Sequence, residues 1–250
     1  FLDQIIERTD NIHAPFIIKG KDSVSLNDVI LSKSIGLDDI PNGSVVALIG
    51  DFDPKTIKLL INLIDKNIIV VPLTNDTRSL HDYYFENAHV SFVIEGDRIT
   101  KLKPQSSNPL LEQLKKDNKP GLVLFSTGTT GRPKAILHDF TVFLNRYQQK
   151  RKPLKTLNFL LFDHVGGINT LFHTIFNNGE IVIPKERTPT AIAEDIKEHK
   201  IELFPTSPSF LRMMLINKVF NKELLGSLKL ITYGTEKMDQ PTLNRICELI

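Results

Sequence analysis

Short apolar runs alternate with amphipathic helical segments early in the chain, and this alternation restricts the fold more than any other feature of the sequence. Val45–Ile49 is a compact apolar run, and Asp53-Pro54 follows it in the order that caps and starts a helix. Two more apolar runs, 68–71 and 90–94, enclose a helical segment at 77–87. Strands that alternate with helices in this way pair in parallel. We therefore predict an α/β fold with largely parallel sheets flanked by helices.

The alternation continues to the end of the chain. Further strands are predicted at 98–103, 122–125, 134–137, 157–162, 180–183, 202–204 and 228–232. Further helices are predicted at 139–150, 167–176 and 190–200, and from the caps Ser207 and Asp239 onward. Lys152-Pro153 has the character of a crossover. We expect two interleaved lobes, about 40–152 and about 1–39 plus 153–250.

Composition excludes several classes of protein. The chain has 250 residues, 41% hydrophobic and 24% charged, as in ordinary globular domains. A formal net charge of +2 gives no basic surface for nucleic acid, so we expect no nucleic-acid partner. No apolar run is long enough to predict a membrane span. The single cysteine excludes an internal disulfide and a multi-cysteine metal site, which favours a reducing cytoplasmic location.

A loop rich in glycine and threonine joins the strands predicted at 122–125 and 134–137. It reads Ser126, Thr127, Gly128, Thr129, Thr130, Gly131, Arg132, Pro133, Lys134. The glycines let backbone N–H groups face an anion, the hydroxyls donate hydrogen bonds, and the lysine adds a positive charge. Two residues separate the glycines and Arg-Pro-Lys follows, which excludes the Walker A spacing. The loop predicts phosphate binding, and a polar hairpin turn is the alternative.

This run resembles the phosphate-binding signature of the adenylate-forming superfamily, which includes acyl-CoA synthetases, peptide-synthetase adenylation domains and luciferases. The resemblance implies the two-lobed fold of the large N-terminal domain of acyl-CoA synthetases. It implies ATP-dependent adenylation of a small carboxylic acid, then transfer of the acyl group to the thiol of coenzyme A or of the phosphopantetheine of a carrier protein. ATP and Mg²⁺ would be needed. Ser126 through Lys134 would bind the nucleotide, and Lys134 would be catalytic.

Two more segments acquire roles from the resemblance. The run 162–167 is Phe-Asp-His-Val-Gly-Gly, which implies that His164 is a catalytic residue of the substrate site and Phe162 a wall of the acyl pocket. The alternative is a histidine at a helix start that is satisfied by backbone groups. Residues 204–209 resemble the segment that lines the acyl pocket, although their prolines alone predict only a rigid loop. Three other histidines lack metal-type spacing, namely His138, His173 and His199.

The run Tyr233, Gly234, Thr235 and Glu236 resembles the loop against which the family's adenine rests. Family members also carry a later Tyr-Gly-x-Thr-Glu, in which threonine and glutamate meet the α-phosphate and the magnesium. The spacing here lacks the extra residue, so we assign 233–236 to the adenine side and leave the metal ligand unknown. A plain strand-to-helix connection, with Glu236 as a first-turn charge, is the remaining alternative.

The resemblance covers only part of the family's architecture. We expect 1–250 to be a truncated AMP-binding N-terminal domain, without the C-terminal domain and inactive alone. One rival is a non-catalytic nucleotide-binding module of a larger assembly, and another is a structural α/β domain that binds nothing. Unfolding with and without ATP separates a binder from a non-binder, because a ligand stabilises the state that binds it.

Overall fold

The computed structural model describes residues 1–31, 36–103, 108–126, 131–234 and 236–249. The chain forms two compact units. The first contains 1–8, 27–150 and 161–168, and the second contains 9–26, 151–160 and 169–250. The lobe boundaries drawn from the sequence stay a prediction.

The strands of the described residues belong to two sheets, one in each unit. They are β1 (Pro15–Lys19), β2 (Asp22–Ser25), β3 (Val45–Ile49), β4 (Ile69–Leu73), β5 (Phe92–Glu95), β6 (Arg98–Lys101), β7 (Gly121–Phe125), β8 (Ala135–Asp139), β9 (Lys155–Leu157), β10 (Glu180–Val182), β11 (Leu203–Thr206) and β12 (Leu230–Tyr233). The sheet of the first unit has the order β6-β5-β3-β4-β7-β8, and that of the second has the order β12-β11-β9-β10-β1-β2.

Helices connect and flank these strands. They are α1 (Leu2–Arg8), α2 (Leu26–Leu31), α3 (Pro54–Asp65), α4 (His81–Asn87), α5 (Pro109–Lys116), α6 (Phe140–Leu144), α7 (Val165–Phe176), α8 (Pro189–His199), α9 (Pro208–Ile216), α10 (Lys222–Leu225) and α11 (Gln240–Leu249). Short 3-10 turns occupy Leu37–Asp39, Asn75–Leu80 and Asn145–Tyr147. Within the described residues, no helix combines the length and apolar composition needed to cross a bilayer.

The first unit is built around the parallel pairs that the sequence predicted. β3 pairs in parallel with both β4 and β5, and β4 pairs in parallel with β7. All five residues of β3 and of β4 are buried, as expected for a parallel sheet covered on both faces. The edge strands β6 and β8 are antiparallel to their neighbours. The α3 helix starts as predicted, because the Asp53 carboxylate accepts from the N–H groups of Lys55 and Thr56, at 2.9 and 3.1 Å.

The second unit combines a parallel centre with an N-terminal hairpin that the sequence did not reveal. β10 lies between β1 and β9, and β11 lies between β9 and β12, all in parallel. β2 is antiparallel to β1, and Gly20 in the turn between them has φ of +62°, a conformation that glycine adopts without strain. Aliphatic and aromatic side chains from β9, β11, α8 and α9 form the core of this unit.

Several predicted boundaries were wrong for local reasons. The strand predicted at 157–162 ends at Leu157, because the Phe159 N–H bonds back to the Leu157 carbonyl and the chain turns there. The helix predicted at 139–150 starts at the Asp139 cap but is helical only over Phe140–Leu144, with a 3-10 turn after it. The helix predicted at 77–87 begins as the 3-10 turn Asn75–Leu80. The last strand is shifted from 228–232 to Leu230–Tyr233.

Candidate functional site

The glycine-threonine loop closes an antiparallel hairpin. β7 and β8 pair in continuous register from Gly121 opposite Asp139 to Phe125 opposite Ala135. Beyond the last pair, the Ser126 N–H donates to the Lys134 carbonyl at 3.0 Å, and the Lys134 N–H donates to the Ser126 Oγ at 3.1 Å. Both ends of the loop are therefore fixed to one another. Residues 127–130, which carry four of the predicted phosphate contacts, lie outside the described residues.

The α4 helix supports both arms of this hairpin. The Tyr83 hydroxyl donates to the Pro133 carbonyl at 2.9 Å, and the Arg132 guanidinium lies 5.4 Å from the centre of the Tyr83 ring. The ring of Tyr84 stacks on that of Phe125, with 4.0 Å between the ring centres. Burial raises the pKa of Tyr84, which keeps its hydroxyl neutral. The loop exit thus has a defined position although it is at the surface.

The Lys134 side chain is exposed, and within the described part of the chain its ammonium group makes no ion pair. Gly131 is also exposed, its φ lies outside the left-handed region, and a Cβ at this position would meet no atom of the described residues within 4 Å. The described part of the fold therefore leaves room for a side chain at 131. The positive charge and the open backbone are features that a bound anion can use.

His164 lies at the start of α7, next to a nearly buried carboxylate. The side chain of His164 is 42% exposed and its carbonyl accepts from the Ile168 N–H at 3.2 Å. The side chain of Asp163 is 10% exposed, and its Oδ1 lies 3.7 Å from the Nε2 of His164. Phe162 is fully buried and packs edge-on against Phe52 within the first unit. His164 can reach a ligand from this position, whereas Phe162 is covered by protein.

Thr74, at the end of β4, holds the Asp163 carboxylate. Its hydroxyl donates to the Asp163 Oδ2 at 2.9 Å, while the Oδ1 has no hydrogen-bond partner among the described residues. The Thr74 carbonyl lies 3.0 Å from the Nε2 of His81. The other ring nitrogen of His81, Nδ1, is buried and has no hydrogen-bond partner among the described residues. Burial, the largest cause, lowers the pKa of His81, and the hydrogen bond to Thr74 opposes it. Sequence reasoning missed Thr74, because 89 residues separate it from Asp163.

The segment predicted to face adenine lies in the second unit, at the carboxyl end of β12. Tyr233 and Gly234 are exposed, and Thr235 lies outside the described residues. The Glu236 carboxylate accepts a hydrogen bond from the Ser209 hydroxyl and pairs with the Arg212 guanidinium at 3.3 Å. Glu236 therefore has partners on α9, although 40% of its side chain is exposed.

The neighbouring segment 204–209 forms the end of β11 and the start of α9. Its Ser207 hydroxyl caps α9 by accepting from the Phe210 N–H at 3.2 Å, as the sequence predicted. Thr206 is buried, and its hydroxyl has no hydrogen-bond partner among the described residues. The side-chain amide of Asn158, just after β9, is also buried and has no hydrogen-bond partner among the described residues.

One group of possible metal ligands exists among the described residues, outside the predicted site. Ligand atoms of Asp195, Glu198 and His199 on α8 lie within 4.8 Å of one another. The Lys185 ammonium already pairs with Glu198 at 3.1 Å, and the Lys185 N–H donates to Asp195 at 3.2 Å. The Lys185 ammonium therefore already supplies a positive charge to this cluster. The three histidines considered in the sequence lie on different elements: His138 on β8, His173 on α7 and His199 on α8.

Comparison with known proteins identifies what this architecture resembles. The family model described as "AMP-binding enzyme" matches residues 43–250. Tyrocidine synthase 3 of Brevibacillus parabrevis is 24% identical over 162 residues, which are 60% of this chain and 2% of that protein. Surfactin synthase subunit 2 of Bacillus subtilis is 29% identical over 126 residues, which are 46% of this chain and 4% of that protein. The chain thus matches only a small part of each synthase.

Solved structures share the fold over almost the whole chain. The N-terminal subdomain of Klebsiella oxytoca NpsA, in complex with 3-hydroxyanthranilyl-AMSN, has a TM-score of 0.78 at 15% identity, covering 98% of this chain and 68% of that one. ATP-bound MatB from Rhodopseudomonas palustris has a TM-score of 0.75 at 15% identity, covering 98% and 56%. The o-succinylbenzoate CoA synthetase MenE of Bacillus subtilis, bound with its product analogue OSB-NCoA, has a TM-score of 0.76 at 14% identity, covering 98% and 56%.

Proposed function

Because the chain belongs to the AMP-binding enzyme family, we propose that it serves the ATP-dependent adenylation of a carboxylic acid. A carboxylate oxygen attacks the α-phosphorus of ATP, the bond to the β-phosphate oxygen breaks, and pyrophosphate leaves. The acyl adenylate then passes its acyl group to the thiol of coenzyme A or of a carrier-protein phosphopantetheine, and AMP leaves. The relatives that support this proposal are an ATP-bound enzyme, a CoA synthetase and several peptide synthases.

The observation that carries the proposal is the fixed hairpin exit at Ser126 and Lys134. A carboxylate and a triphosphate repel one another, so a catalyst for this reaction must place positive charge and N–H donors at the phosphates before they meet. The Lys134 ammonium is exposed, and its backbone is locked to Ser126. We assign Lys134 to the distal phosphates, because an ammonium at the loop exit supplies charge without recognising a base.

We assign His164 to the acid subsite. Its half-exposed ring stands at the first turn of α7, beside the Asp163 carboxylate that Thr74 holds. A His164→Ala variant of the full-length protein should change the preference among carboxylic acids and leave the affinity for ATP within a few-fold.

The family reaction also requires Mg²⁺, which supplies positive charge to the leaving pyrophosphate. The sequence left the metal ligand unknown, and the Glu236 carboxylate already accepts from the Ser209 hydroxyl and pairs with the positive Arg212 guanidinium through its Oε2. The donor set at Glu236 therefore does not fit a magnesium site, and none of the steps above depends on one there.

The experiment compares Lys134→Ala with a matched control, Lys116→Ala. Lys116 is exposed at the last turn of α5, which packs near Gly121, at the opposite end of the β7–β8 ladder from the loop. We expect Lys134→Ala to weaken ATP binding about tenfold or more in calorimetry, since hydrogen bonds between charged groups contribute about 1.5–3 kcal/mol. AMP and adenosine should lose less, and the control should bind all three like the unmodified chain.

Equal losses for ATP, AMP and adenosine would contradict the assignment of Lys134 to the distal phosphates. Pyrophosphate release by the full-length protein, with a panel of carboxylic acids, separates catalysis from binding. Nucleotide binding without acid-dependent pyrophosphate release would replace the proposed enzyme by a nucleotide-binding module.

A further inference from the structure

Arg212 of α9 bridges two carboxylates on the loop that leads from β12 to α11. One guanidinium nitrogen, Nη2, lies 3.3 Å from the Glu236 Oε2 and 3.0 Å from the Ser209 Oγ. The other, Nη1, donates to the Asp239 Oδ2 at 3.1 Å. The Ser209 hydroxyl donates to the same Glu236 oxygen. Arg212 therefore contacts both ends of the loop segment 236–239 at once, a geometry for which a forked guanidinium is suited and a point charge is not.

The same arginine connects two neighbouring strand ends. β11 and β12 are parallel, with Thr206 opposite Tyr233, so their carboxyl ends lie at one edge of the sheet. Ser209 and Arg212 belong to the helix that follows β11, and Glu236 belongs to the loop that follows β12. In parallel α/β sheets this edge is where loops meet a ligand. The cluster thus links segment 204–209, which resembles the lining of the acyl pocket, with segment 233–236, which is assigned to the adenine side.

Asp239 fixes the far end of the loop. Its Oδ1 accepts from the Thr242 N–H at 2.9 Å and its Oδ2 from the Thr242 hydroxyl at 2.9 Å, which caps α11. These bonds hold the pKa of the Asp239 carboxyl below its ordinary value, with a smaller contribution from Arg212. Asp239 therefore stays ionised at neutral pH, and Arg212 keeps a charged partner on the α11 side.

We propose that Arg212 is a positioning residue that holds the Tyr233–Glu236 segment in the conformation that binds nucleotide. Arg212, Glu236 and Asp239 form a clamp on this loop, and Glu236 belongs to the clamp and does not bind a magnesium ion. The inference rests on the proposed function, because it takes 233–236 to be the adenine segment. The three side chains are 37–49% exposed, and exposed ion pairs add little to global stability. The clamp acts on the placement of the loop and not on the stability of the fold.

The test uses Arg212→Gln and Arg212→Lys, with Arg245→Gln as the matched control. Arg245 forms a more exposed ion pair, with Glu248 at 2.9 Å, on the α11 helix and outside the clamp. We expect Arg212→Gln to weaken AMP binding about three- to tenfold, because the released loop would occupy its nucleotide-binding conformation for a smaller fraction of the time. Arg212→Lys should recover part of the affinity, and Arg245→Gln should bind like the unmodified chain. The unfolding midpoints should agree for all variants.

Hydrogen exchange provides a readout that needs no ligand. A peptide spanning 233–239 should exchange faster in Arg212→Gln and at the unmodified rate in Arg245→Gln. Unchanged exchange in Arg212→Gln would overturn the clamp whatever the nucleotide affinity. Faster exchange with unchanged AMP binding would overturn the positioning role. If the unmodified chain bound neither ATP nor AMP, the proposed function would fail and the positioning role with it.

Glu236→Gln decides between clamp and metal ligand. If Glu236 belongs to the clamp, Glu236→Gln should weaken AMP and ATP binding equally, with and without Mg²⁺. The double variant with Arg212→Gln should then lose little more nucleotide affinity than either single variant. For a metal ligand, only the Mg²⁺-dependent part of ATP binding should fall. The second pattern would overturn the assignment of Glu236 to the clamp.

Discussion

Replacing Thr74 by valine tests the buried hydrogen bond that holds Asp163. Thr74 is 4% exposed and the Asp163 side chain is 10% exposed, so water cannot readily replace the lost hydroxyl. Valine fills nearly the same volume but donates nothing, which leaves the carboxylate without a hydrogen-bond partner among the described residues, since its Oδ1 has none already. A hydrogen bond to a charged group contributes about 1.5–3 kcal/mol. We expect Thr74→Val to lose about 2 kcal/mol of unfolding free energy.

The assay is urea unfolding followed by circular dichroism, because the chain has no tryptophan to report by fluorescence. In thermal unfolding, 2 kcal/mol corresponds to about 4–8 °C for a chain of this size. Thr74→Ser keeps the hydroxyl and removes only the methyl group, so it should lose about 1 kcal/mol. Combining Thr74→Val with Asp163→Asn should cost less than the sum of the two, because the second change removes the charge that the first leaves unpartnered.

The reasoning would be refuted if Thr74→Val stayed within about 0.5 kcal/mol of the unmodified chain, the range of a surface substitution. It would also fail if serine cost as much as valine, since the methyl group and not the hydroxyl would then be responsible. Additive single and double variants would show that Thr74 and Asp163 do not interact.

Two further predictions concern His81 and Gly131. Burial lowers the pKa of His81, so the unfolded chain binds the proton more readily, and stability should fall as pH drops below about 6.5. His81→Gln can still donate to the Thr74 carbonyl and should flatten that fall between pH 7 and 5; an identical pH profile would contradict this. Gly131→Val should weaken ATP binding and leave the urea midpoint unchanged, because a Cβ there would meet no atom of the described residues within 4 Å. Gly50→Ala is the opposite control, since its Cβ would lie 2.6 Å from the Thr56 hydroxyl and should destabilise the fold.

The helix starts that the sequence predicted correctly depend on contacts between neighbouring residues. Asp53, Asp139, Ser207 and Asp239 each start a helix where a side-chain oxygen accepts from backbone N–H groups two or three residues on. Such a cap involves only neighbouring residues, so its pattern is visible in the sequence. The hairpin at Gly20 was not predicted, because β2 is Asp-Ser-Val-Ser and contains a single apolar residue.

Long-range partners explain what the sequence did not predict. Nothing near Thr74 in the sequence points to Asp163, and nothing near Arg212 points to Glu236, because topology alone brings each pair together. The sequence pattern likewise predicted a strand at 157–162, but β9 ends at Leu157, and two residues further on the Arg187 side chain donates to the Phe159 carbonyl at 2.9 Å. The residue types alone pointed to the loop at Ser126–Lys134, whereas the long-range contacts that hold Asp163 and Glu236 were found only in the structure.

The buried polar atoms without hydrogen-bond partners lie at or after the carboxyl ends of strands in both units. Among the described residues they belong to His81, Asn158, Asp163 and Thr206. Thr206 is the last residue of β11, Asn158 directly follows β9, and the other two lie on the connections that leave β4 and β9. An unsatisfied buried polar group costs about 1–3 kcal/mol, so each of these strand ends is less stable than one whose polar groups are all hydrogen-bonded. A polar ligand that satisfied such groups would therefore stabilise the unit that binds it.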